Sequence, residues 1–301
     1  MTAERAAIPR NDWTTRRLLG WIGAALTKSG VESPRLCADL LVAHVLGCDR
    51  LRLYVDPDRP ASAEERDRLR GLVARALAHE PVQYLVGEGW FFSLPFAVDR
   101  RVLIPRPETE TLVEAVLHAA RAQPTLAAGV IADLGTGSGC VIVAIVKNLP
   151  GARGIGIDLS PDALAVARMN ADRHGVSDRL DLRCGDLLAP LEAHPVGAAL
   201  AAIVANPPYI PDAEWDDVPA NVKHEPESAL RGGADGLMFI RPILAGASDH
   251  LAPGGLLAVE CASTHADAVL DLARAAPGLI DARIERDFEG RPRVLLARRR
   301  A

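Results

Sequence analysis

The sequence predicts an α/β fold in which a doubly wound, mostly parallel sheet follows a small N-terminal helical domain. From residue 129 onward, short apolar runs rich in branched side chains alternate with stretches of helical spacing. Between about residues 13 and 85, the apolar residues fall at helical spacing instead. Strands that alternate with helices form parallel sheets covered on both faces, so the second part of the chain is predicted to be the doubly wound domain.

Composition narrows the class of protein. The chain has 301 residues, of which 49% are apolar, so it can bury one large or two modest cores. Its net charge is −5 without long blocks of one sign, so we expect neither bulk nucleic-acid binding nor attachment to an anionic membrane. Five scattered cysteines without a CxxC pair indicate free thiols rather than disulfides or a metal site. No apolar run approaches about 18 residues and the start lacks the apolar region of a signal peptide, so we expect a soluble cytoplasmic protein.

Three helices are predicted in the N-terminal domain. The first carries apolar residues at helical spacing, namely Leu18, Leu19, Ile22 and Leu26. Ser33 is a cap followed by proline at the first helical position, and Gly47 ends this second helix. Ser62 and Glu65 have the spacing of a capping box, which opens the third helix. Residues 1–85 contain no cluster of catalytic side chains, so we interpret them as a packing or partner-recognition domain.

Residues 86–107 are predicted to form a β-hairpin linker between the two domains. The aromatic run that begins at Trp90 is expected to pair with Val102-Leu103-Ile104 across Asp99-Arg100-Arg101. Arg106 then lies between two prolines, which force an extended path before a helix begins at Glu108. The charge of this segment leaves two roles open, linker or ligand contact. The larger domain is placed at 108–301.

Five strands and a closing hairpin follow from the apolar runs of the larger domain. The strands are predicted at residues 130–134, 154–159, 180–183, 201–205 and 255–261, and the hairpin joins 280–286 to 294–297. Open α/β sheets bind ligands at the carboxyl ends of their strands. Functional residues are therefore sought where these strands end.

A glycine turn, Gly135-Thr136-Gly137-Ser138-Gly139, lies between the first strand and the helix that follows. Its backbone can pass close to a ligand, whose polar end meets free N–H groups. The spacing is G-x-G-x-G, which differs from the G-x-G-x-x-G of dinucleotide folds. Asp158, at the end of the second strand, is placed to accept hydrogen bonds from ribose hydroxyls, and Asp186 ends the third strand where an adenine edge would lie. These three strand ends together predict a nucleoside-ligand site.

A proline corner, Asn206-Pro207-Pro208-Tyr209, follows the fourth strand. Two prolines make the turn rigid and remove two N–H donors, so it presents carbonyl acceptors with little competition. The Asn206 oxygen beside such a carbonyl forms a paired acceptor for an NH2 group, and Tyr209 can lie over a planar amide or base. The ligand could be NAD or S-adenosylmethionine. The second is favoured because the corner would hold an amide or amino group beside its sulfonium, whereas no histidine has a partner that marks it as the acid or base of a dehydrogenase.

These motifs resemble a known family. The segment Asp133-Leu134-Gly135-Thr136-Gly137-Ser138-Gly139, together with the proline corner, is similar to class I S-adenosylmethionine methyltransferases that act on nitrogen. Narrower matches resemble the protein-(glutamine-N(5)) methyltransferases that modify peptide chain release factors, the HemK/PrmC family. In chain order they are Glu80-Pro81-Val82-Gln83-Tyr84-Leu85, the segment 91–96, Leu103-Ile104-Pro105-Arg106-Pro107-Glu108-Thr109-Glu110, Glu225-Pro226 with Ala229-Leu230, and Gly233-Ala234-Asp235-Gly236-Leu237. The likeness extends from about residue 33 to residue 297.

The resemblance implies a Rossmann-like, seven-stranded methyltransferase domain that uses S-adenosylmethionine and no metal. The glycine turn would hold the methionine part of this cofactor and Asp158 the ribose. Asp186 and Leu187 would flank the adenine, and Asn206 would also contact the cofactor. Leu187 departs from the family pattern, because an aromatic residue often stands there. Glu260-Cys261 departs too, because a glutamate followed closely by glycine is more usual.

The resemblance also implies a substrate, the glutamine in the Gly-Gly-Gln loop of release factors. The N-terminal helical domain would recognise the release factor, and we expect a monomer. Asn206, Pro207 and Tyr209 would be the catalytic residues, and these three with Pro208 and Arg106 would bind the glutamine.

Three other functions remain open at this point. A paralogue that methylates a glutamine of a ribosomal protein would use the same site with a different partner. An adenine-N6 DNA or RNA methyltransferase would place an exocyclic amine on the same acceptors, although the acidic balance and the lack of a basic patch disfavour it. A non-catalytic, cofactor-binding interaction protein would need fewer of the site positions to be filled.

Overall fold

The computed structural model describes residues 13–193 and 199–301. These residues divide into two compact units, one up to Gly87 and one from Glu88 onward. Within the described residues, no helix has both the length and the apolar character needed to cross a membrane.

The first unit is helical. Its described elements are α1 (Thr15–Lys28), α2 (Pro34–Leu46), α3 (Arg52–Val55), α4 (Ala63–Leu77) and α5 (Val82–Val86). Their inward faces form one apolar core, which includes Leu18, Ile22, Leu26, Leu41, Leu69 and Val73. The three predicted helices are confirmed as α1, α2 and α4.

The ends of these helices follow the predicted caps with one difference. The Ser62 hydroxyl accepts the Glu65 N–H, and the Glu65 carboxylate accepts the Ser62 N–H at 2.8 Å, so the capping box is confirmed. Gly47 ends α2 in the left-handed region, at φ 61°. Ser33 precedes α2, but its side chain makes no capping bond. Ser33 adopts the left-handed conformation (φ 47°, ψ 51°) rather than the extended one from which a capping side chain reaches the N–H groups of the first turn.

The described residues of the second unit include nine strands. They are β1 (Glu88–Phe91), β2 (Leu94–Ala97), β3 (Val130–Leu134), β4 (Arg153–Asp158), β5 (Leu180–Cys184), β6 (Leu200–Ala205), β7 (Leu251–Glu260), β8 (Leu279–Arg286) and β9 (Pro292–Arg299). The described helices are α6 (Glu110–Ala122), α7 (Pro124–Ala127), α8 (Cys140–Asn148), α9 (Pro161–His174), α10 (Ala189–Ala193), α11 (Ile240–His250) and α12 (Ala266–Ala275). Seven of the described strands form one sheet in the order β5-β4-β3-β6-β7-β9-β8, in which β9 runs opposite to the other six. The predicted doubly wound sheet and its closing hairpin are therefore confirmed.

The sheet is covered on both faces because successive strand residues point to opposite sides. Ile131 and Val204 face a core formed with α6 and α8, whereas Ala132 and Ile203 face a core formed with α11 and α12. Strands buried on both faces read as continuous apolar runs, which explains why β6 is apolar throughout and β3 has Asp133 as its one polar residue.

The predicted hairpin across Asp99-Arg100-Arg101 was wrong. β1 pairs with β2 instead, and the turn is Phe92-Ser93, with both residues at positive φ (50° and 60°). A two-residue turn with both central residues in this region matches the twist of the paired strands. Phe91 and Phe96 are buried in the core of the second unit, and residues 102–104 are not a strand. The Asp99 carboxylate binds the Arg101 guanidinium at 2.6 Å, a local contact that closes a separate turn.

Asn170 holds this hairpin against the glycine turn. It is fully buried in α9, where its oxygen accepts the Ala97 N–H at 2.7 Å. Its amide nitrogen donates to the carbonyls of Ala97, at 3.0 Å, and Ser138, at 2.8 Å. One side chain therefore satisfies three backbone groups on two segments that are distant in sequence.

Substitution of Asn170 tests this link. Asn170→Ala is expected to lower the free energy of unfolding by about 3 kcal/mol, because it leaves buried backbone groups without partners. Urea unfolding of the full chain measures the change. The control is Met169→Ala at the adjacent exposed position, which should change stability by less than about 0.5 kcal/mol. Equal stability of the two variants would contradict this role.

Candidate active site

The central strands of the sheet end side by side. Leu134 of β3 pairs with Ile157 of β4 on one side and with Ala205 of β6 on the other. The residues that follow these three therefore emerge at one edge, and they are Gly135, Asp158 and Asn206. The strand order reverses between β3 and β6, and open α/β sheets bind ligands at such a point.

The three glycines of the turn differ in what surrounds them. All have positive φ: 72° at Gly135, 54° at Gly137 and 79° at Gly139. A Cβ at Gly135 would meet no atom within 4 Å, whereas a Cβ at Gly139 would lie 3.1 Å from the Ala167 Cβ. Gly135 and Gly137 therefore leave an open face over the turn, and Gly139 lets α8 approach α9.

The Asp158 carboxylate is joined to the glycine turn. One of its oxygens accepts the Gly137 N–H at 2.8 Å, and the other accepts the Ser160 N–H at 2.9 Å. Each carboxylate oxygen has a second lone pair, so the half-buried group can still accept from a ligand. Its orientation is set by two backbone donors before any ligand binds.

A buried carboxyl supports the turn from below. Asp133 accepts the Thr136 hydroxyl at 2.7 Å. The pKa of Asp133 is raised to about 7, mainly because the group is buried; the Thr136 hydrogen bond lowers this pKa in part, and the charge of Asp158 adds to the increase. The open glycine face and the fixed Asp158 carboxylate together fit a ligand with a nucleoside and a polar chain.

The remaining predicted cofactor residues lie after β5. Asp186 is exposed, and Leu187 is partly buried with a positive φ of 45°. Leu187 packs against the core on the α11 side of the sheet. Because Asp158 pairs with Cys184, these residues begin near the same edge as the glycine turn.

The proline corner lines a cavity of about 210 Å³ beyond β6. Arg106 lines the same cavity, so the structure brings together all five residues predicted to bind substrate. Apolar side chains complete the wall, namely Leu103, Ile210, Val218, Pro219, Val222, Ala229 and Leu230. A small polar group held at the corner would therefore be surrounded by a mostly apolar lining.

Two glycines press directly against the corner. A Cβ at Gly232 would lie 2.7 Å from the Tyr209 Cα and 2.9 Å from the Pro208 carbonyl oxygen. A Cβ at Gly236 would lie 2.5 Å from the Tyr209 carbonyl oxygen. No side chain fits at either position, so the backbone of the loop 232–236 packs directly against the backbone of the corner.

Glu225 binds the arginine-proline segment. Its buried carboxylate accepts the Ile104 N–H at 2.9 Å through one oxygen and the Arg106 guanidinium through the other. The Arg106 charge is thus paired within the cavity wall. Glu225 joins residues 104–106 to the segment that follows the corner.

Asn206 contacts Thr109, which is buried like Glu260 behind the corner. Its amide nitrogen donates to the Thr109 hydroxyl oxygen at 3.1 Å. The Thr109 hydroxyl also acts on the Glu260 carboxylate, whose pKa it lowers, and the Oε2 atom of Glu260 is buried without a partner. Burial raises the pKa of Glu260 to about 7, and burial together with the Glu260 charge raises the pKa of Tyr209 to about 12.

Comparison with known proteins places this chain in a family. Residues 17–87 match the family described as PrmC N-terminal domain, and residues 131–224 match that described as Methyltransferase domain. The release factor glutamine methyltransferase of Geobacter sulfurreducens is 42% identical over 284 residues, covering 94% of this chain and 96% of that protein. The protein of the same name from Moorella thermoacetica is 44% identical over 287 residues, covering 95% and 99%. The chain belongs to the release factor glutamine methyltransferase family.

This membership confirms the family predicted from the motifs, and with it a methyltransferase fold. Among solved structures, the hMettl16 catalytic domain aligns with a TM-score of 0.53 at 15% identity, over 69% of this chain and 76% of that one. A likeness at this identity concerns the fold alone, and it agrees with the predicted class I domain. The roles assigned to individual site residues stay predictions.

Four side chains of this family member were missed as functional positions. Thr109 and Glu225 lie in quoted motifs but received no role, and Glu260 was noted only as a departure. Asn170 carried no signal, because a polar residue in a helix is ordinary. Glu260 did offer one: it is an acidic residue at the end of an otherwise apolar strand, next to the strand that leads to Asn206.

The Glu225 contacts predict a measurable loss. Glu225→Ala should lower the free energy of unfolding by about 2–3 kcal/mol, because it leaves the Ile104 N–H and the partly buried Arg106 charge without their Glu225 partner. Urea unfolding of the full chain measures this. The control is Glu227→Ala, whose contact with Arg231 is exposed and should be worth less than about 1 kcal/mol. A Glu225 variant as stable as the control would show that the Glu225 contacts with Ile104 and Arg106 contribute nothing.

Proposed function

We propose that this chain transfers a methyl group from S-adenosylmethionine to the side-chain amide nitrogen of the glutamine in the Gly-Gly-Gln loop of peptide chain release factors. The single observation that carries the proposal is the cavity at the proline corner. There Asn206 commits its amide nitrogen to Thr109, so its oxygen remains for a ligand beside the Pro207 carbonyl. The names of the relatives and the match of residues 17–87 support a release factor as the protein substrate.

The corner addresses the main difficulty of the reaction. An amide nitrogen is a poor nucleophile because its lone pair is delocalised, so catalysis must come from position and local electrostatics. If the Asn206 oxygen and the Pro207 carbonyl each accept one N–H of the glutamine, the nitrogen is oriented and its electron density rises. Tyr209 would lie over the planar amide. Alignment of this kind contributes about 7–11 kcal/mol in favourable cases.

The chain does not need a strong base. Bound S-adenosylmethionine would supply a methyl group already activated by its sulfonium. A glutamine nitrogen that has gained a methyl group becomes acidic, so its proton can leave to water afterwards. The apolar lining of the cavity would exclude competing water while the nitrogen is held.

The cofactor is proposed to lie across the strand ends. Gly135-Thr136-Gly137-Ser138-Gly139 would hold the methionine part and Asp158 the ribose hydroxyls. Asp186 and Leu187 would flank the adenine, with Leu187 contributing apolar contact rather than aromatic stacking. Asn206 would stand between cofactor and substrate. The cytoplasmic location and the monomeric state predicted from the sequence remain predictions.

A transfer assay tests the function directly. The purified chain is incubated with methyl-labelled S-adenosylmethionine and, separately, with a release factor, its loop Gln→Ala variant, ribosomal protein and DNA. Label should enter only the intact release factor, on the glutamine. Label in ribosomal protein would favour the paralogue, and label in DNA would favour an adenine methyltransferase. Absence of label from every acceptor would favour a non-catalytic protein that binds the cofactor.

Asn206→Ala isolates the role of the corner. Turnover should fall by at least about 100-fold, because the glutamine nitrogen loses one of its two orienting acceptors. Cofactor affinity, measured by titration calorimetry, should stay within a few-fold. Asn148→Ala at the far end of α8 is the control and should retain normal turnover. Near-normal turnover of Asn206→Ala would refute the paired-acceptor role.

A further inference from the structure

Thr109 and Glu260 form a buried polar pair behind the proline corner. Thr109 is 2% exposed and precedes α6, whereas Glu260 is 1% exposed and ends β7. Burial of the Glu260 carboxyl group with its Oε2 atom unpartnered costs free energy of folding, so this residue calls for an explanation. Neither side chain lines the cavity, so neither would touch the substrate.

The Thr109 hydroxyl lies between the Asn206 amide, which donates to it at 3.1 Å, and the Glu260 carboxylate, on which it acts. A threonine hydroxyl has one proton to donate and can also accept. An ionised Glu260 can only accept, and its Oε2 atom is buried without a partner, so the Thr109 proton is drawn toward Glu260 and the Thr109 oxygen must accept from the next partner. The next partner is Asn206, which therefore has to present its NH2 end to Thr109 and its oxygen to the other side.

We infer that Thr109 and Glu260 are positioning residues that fix which end of the Asn206 amide faces the substrate cavity. The inference rests on the function proposed above, in which the Asn206 oxygen accepts an N–H of the glutamine. An amide rotated by 180° would present its own NH2 group to the substrate NH2, where two donors repel. Glu260 thus selects the acceptor state of Asn206 through the Thr109 hydroxyl.

Protonation of Glu260 would release this selection. A protonated carboxyl can donate to Thr109, which can then donate to the Asn206 oxygen and stabilise the inverted amide. Since burial raises the pKa of Glu260 to about 7, the acceptor state should dominate above that pH and decline below it. The charged and titratable groups that act on Glu260, or on which it acts, are Arg106 and Glu108 before α6, Tyr209 after β6, Arg293 in β9, Cys140 in α8 and the adjacent Cys261.

Two substitutions at Thr109 separate positioning from packing. Thr109→Val keeps the shape but removes the hydroxyl, and should lower kcat about 10- to 100-fold with KM for the release factor and cofactor affinity within about threefold. Thr109→Ser restores the hydroxyl and should keep kcat within about threefold of the parent enzyme. Thr111→Val, the same change two residues further along, is the control and should leave kcat unchanged. A Thr109→Val enzyme with kcat within twofold of the parent would overturn the inference.

The pH profile of kcat tests Glu260. The parent enzyme should lose activity below about pH 7, tenfold per pH unit at the limit. Glu260→Gln cannot ionise and should show a lower kcat without this acid limb. The same acid limb in Glu260→Gln would overturn the role of Glu260.

A substrate-free measurement distinguishes failure of this inference from failure of the proposed function. The side-chain amide resonances of Asn206, assigned by their loss in Asn206→Ala, should shift in Thr109→Val and stay in place in Thr111→Val. Unshifted resonances in Thr109→Val would overturn the inference even in an enzyme that methylates release factors. Shifted resonances in an enzyme that methylates no release factor would instead remove the proposed function and leave the amide orientation intact.

Discussion

The hydrogen bond from the Asn206 amide nitrogen to the Thr109 hydroxyl is the interaction on which the candidate site depends. It joins the residue that leaves β6 to the turn before α6, and it decides which atoms of the corner are left for a ligand. An asparagine amide is nearly symmetric in shape, so packing alone does not distinguish its oxygen from its nitrogen. Only a hydrogen-bond partner of defined direction makes that choice.

The sheet sets the place of this interaction, and the segments around it set its rigidity. Parallel pairing of β3 with β4 and β6 brings the glycine turn, Asp158 and Asn206 to one edge. The corner itself has few backbone donors, since two of its residues are prolines. It is held instead by the backbone of Gly232 and Gly236, which approach it more closely than any side chain would allow. Rigid support of this kind is what alignment-based catalysis requires.

Much of this could be predicted from the sequence, because the relevant signals are local. Strand and helix alternation is visible in apolar periodicity, and the glycine turn and proline corner each carry their chemistry within a few residues. The hairpin was misplaced because Phe92-Ser93 has none of the glycine or asparagine that usually marks a two-residue turn. Its aromatic residues pack into the core, and that tertiary gain outweighs the local preference at the turn.

The support of the site could not be predicted, because it depends on contacts between distant segments. Glu225 accepts the Ile104 N–H from 121 residues away in the sequence, and Asn206 donates to Thr109 from 97 residues away. Thr109 also acts on the distant Glu260. No local pattern encodes such pairs. Burial of Glu260 was the property that mattered, and its place at the end of an apolar strand marks it as unusual without revealing its partners.

A structure of the full chain with S-adenosylhomocysteine and a Gly-Gly-Gln peptide would test the central claim most directly. The account predicts that the glutamine amide nitrogen lies within about 3.2 Å of both the Asn206 oxygen and the Pro207 carbonyl oxygen, and points toward the sulfur. A corner turned away from the sulfur, or a glutamine held by other groups, would contradict it.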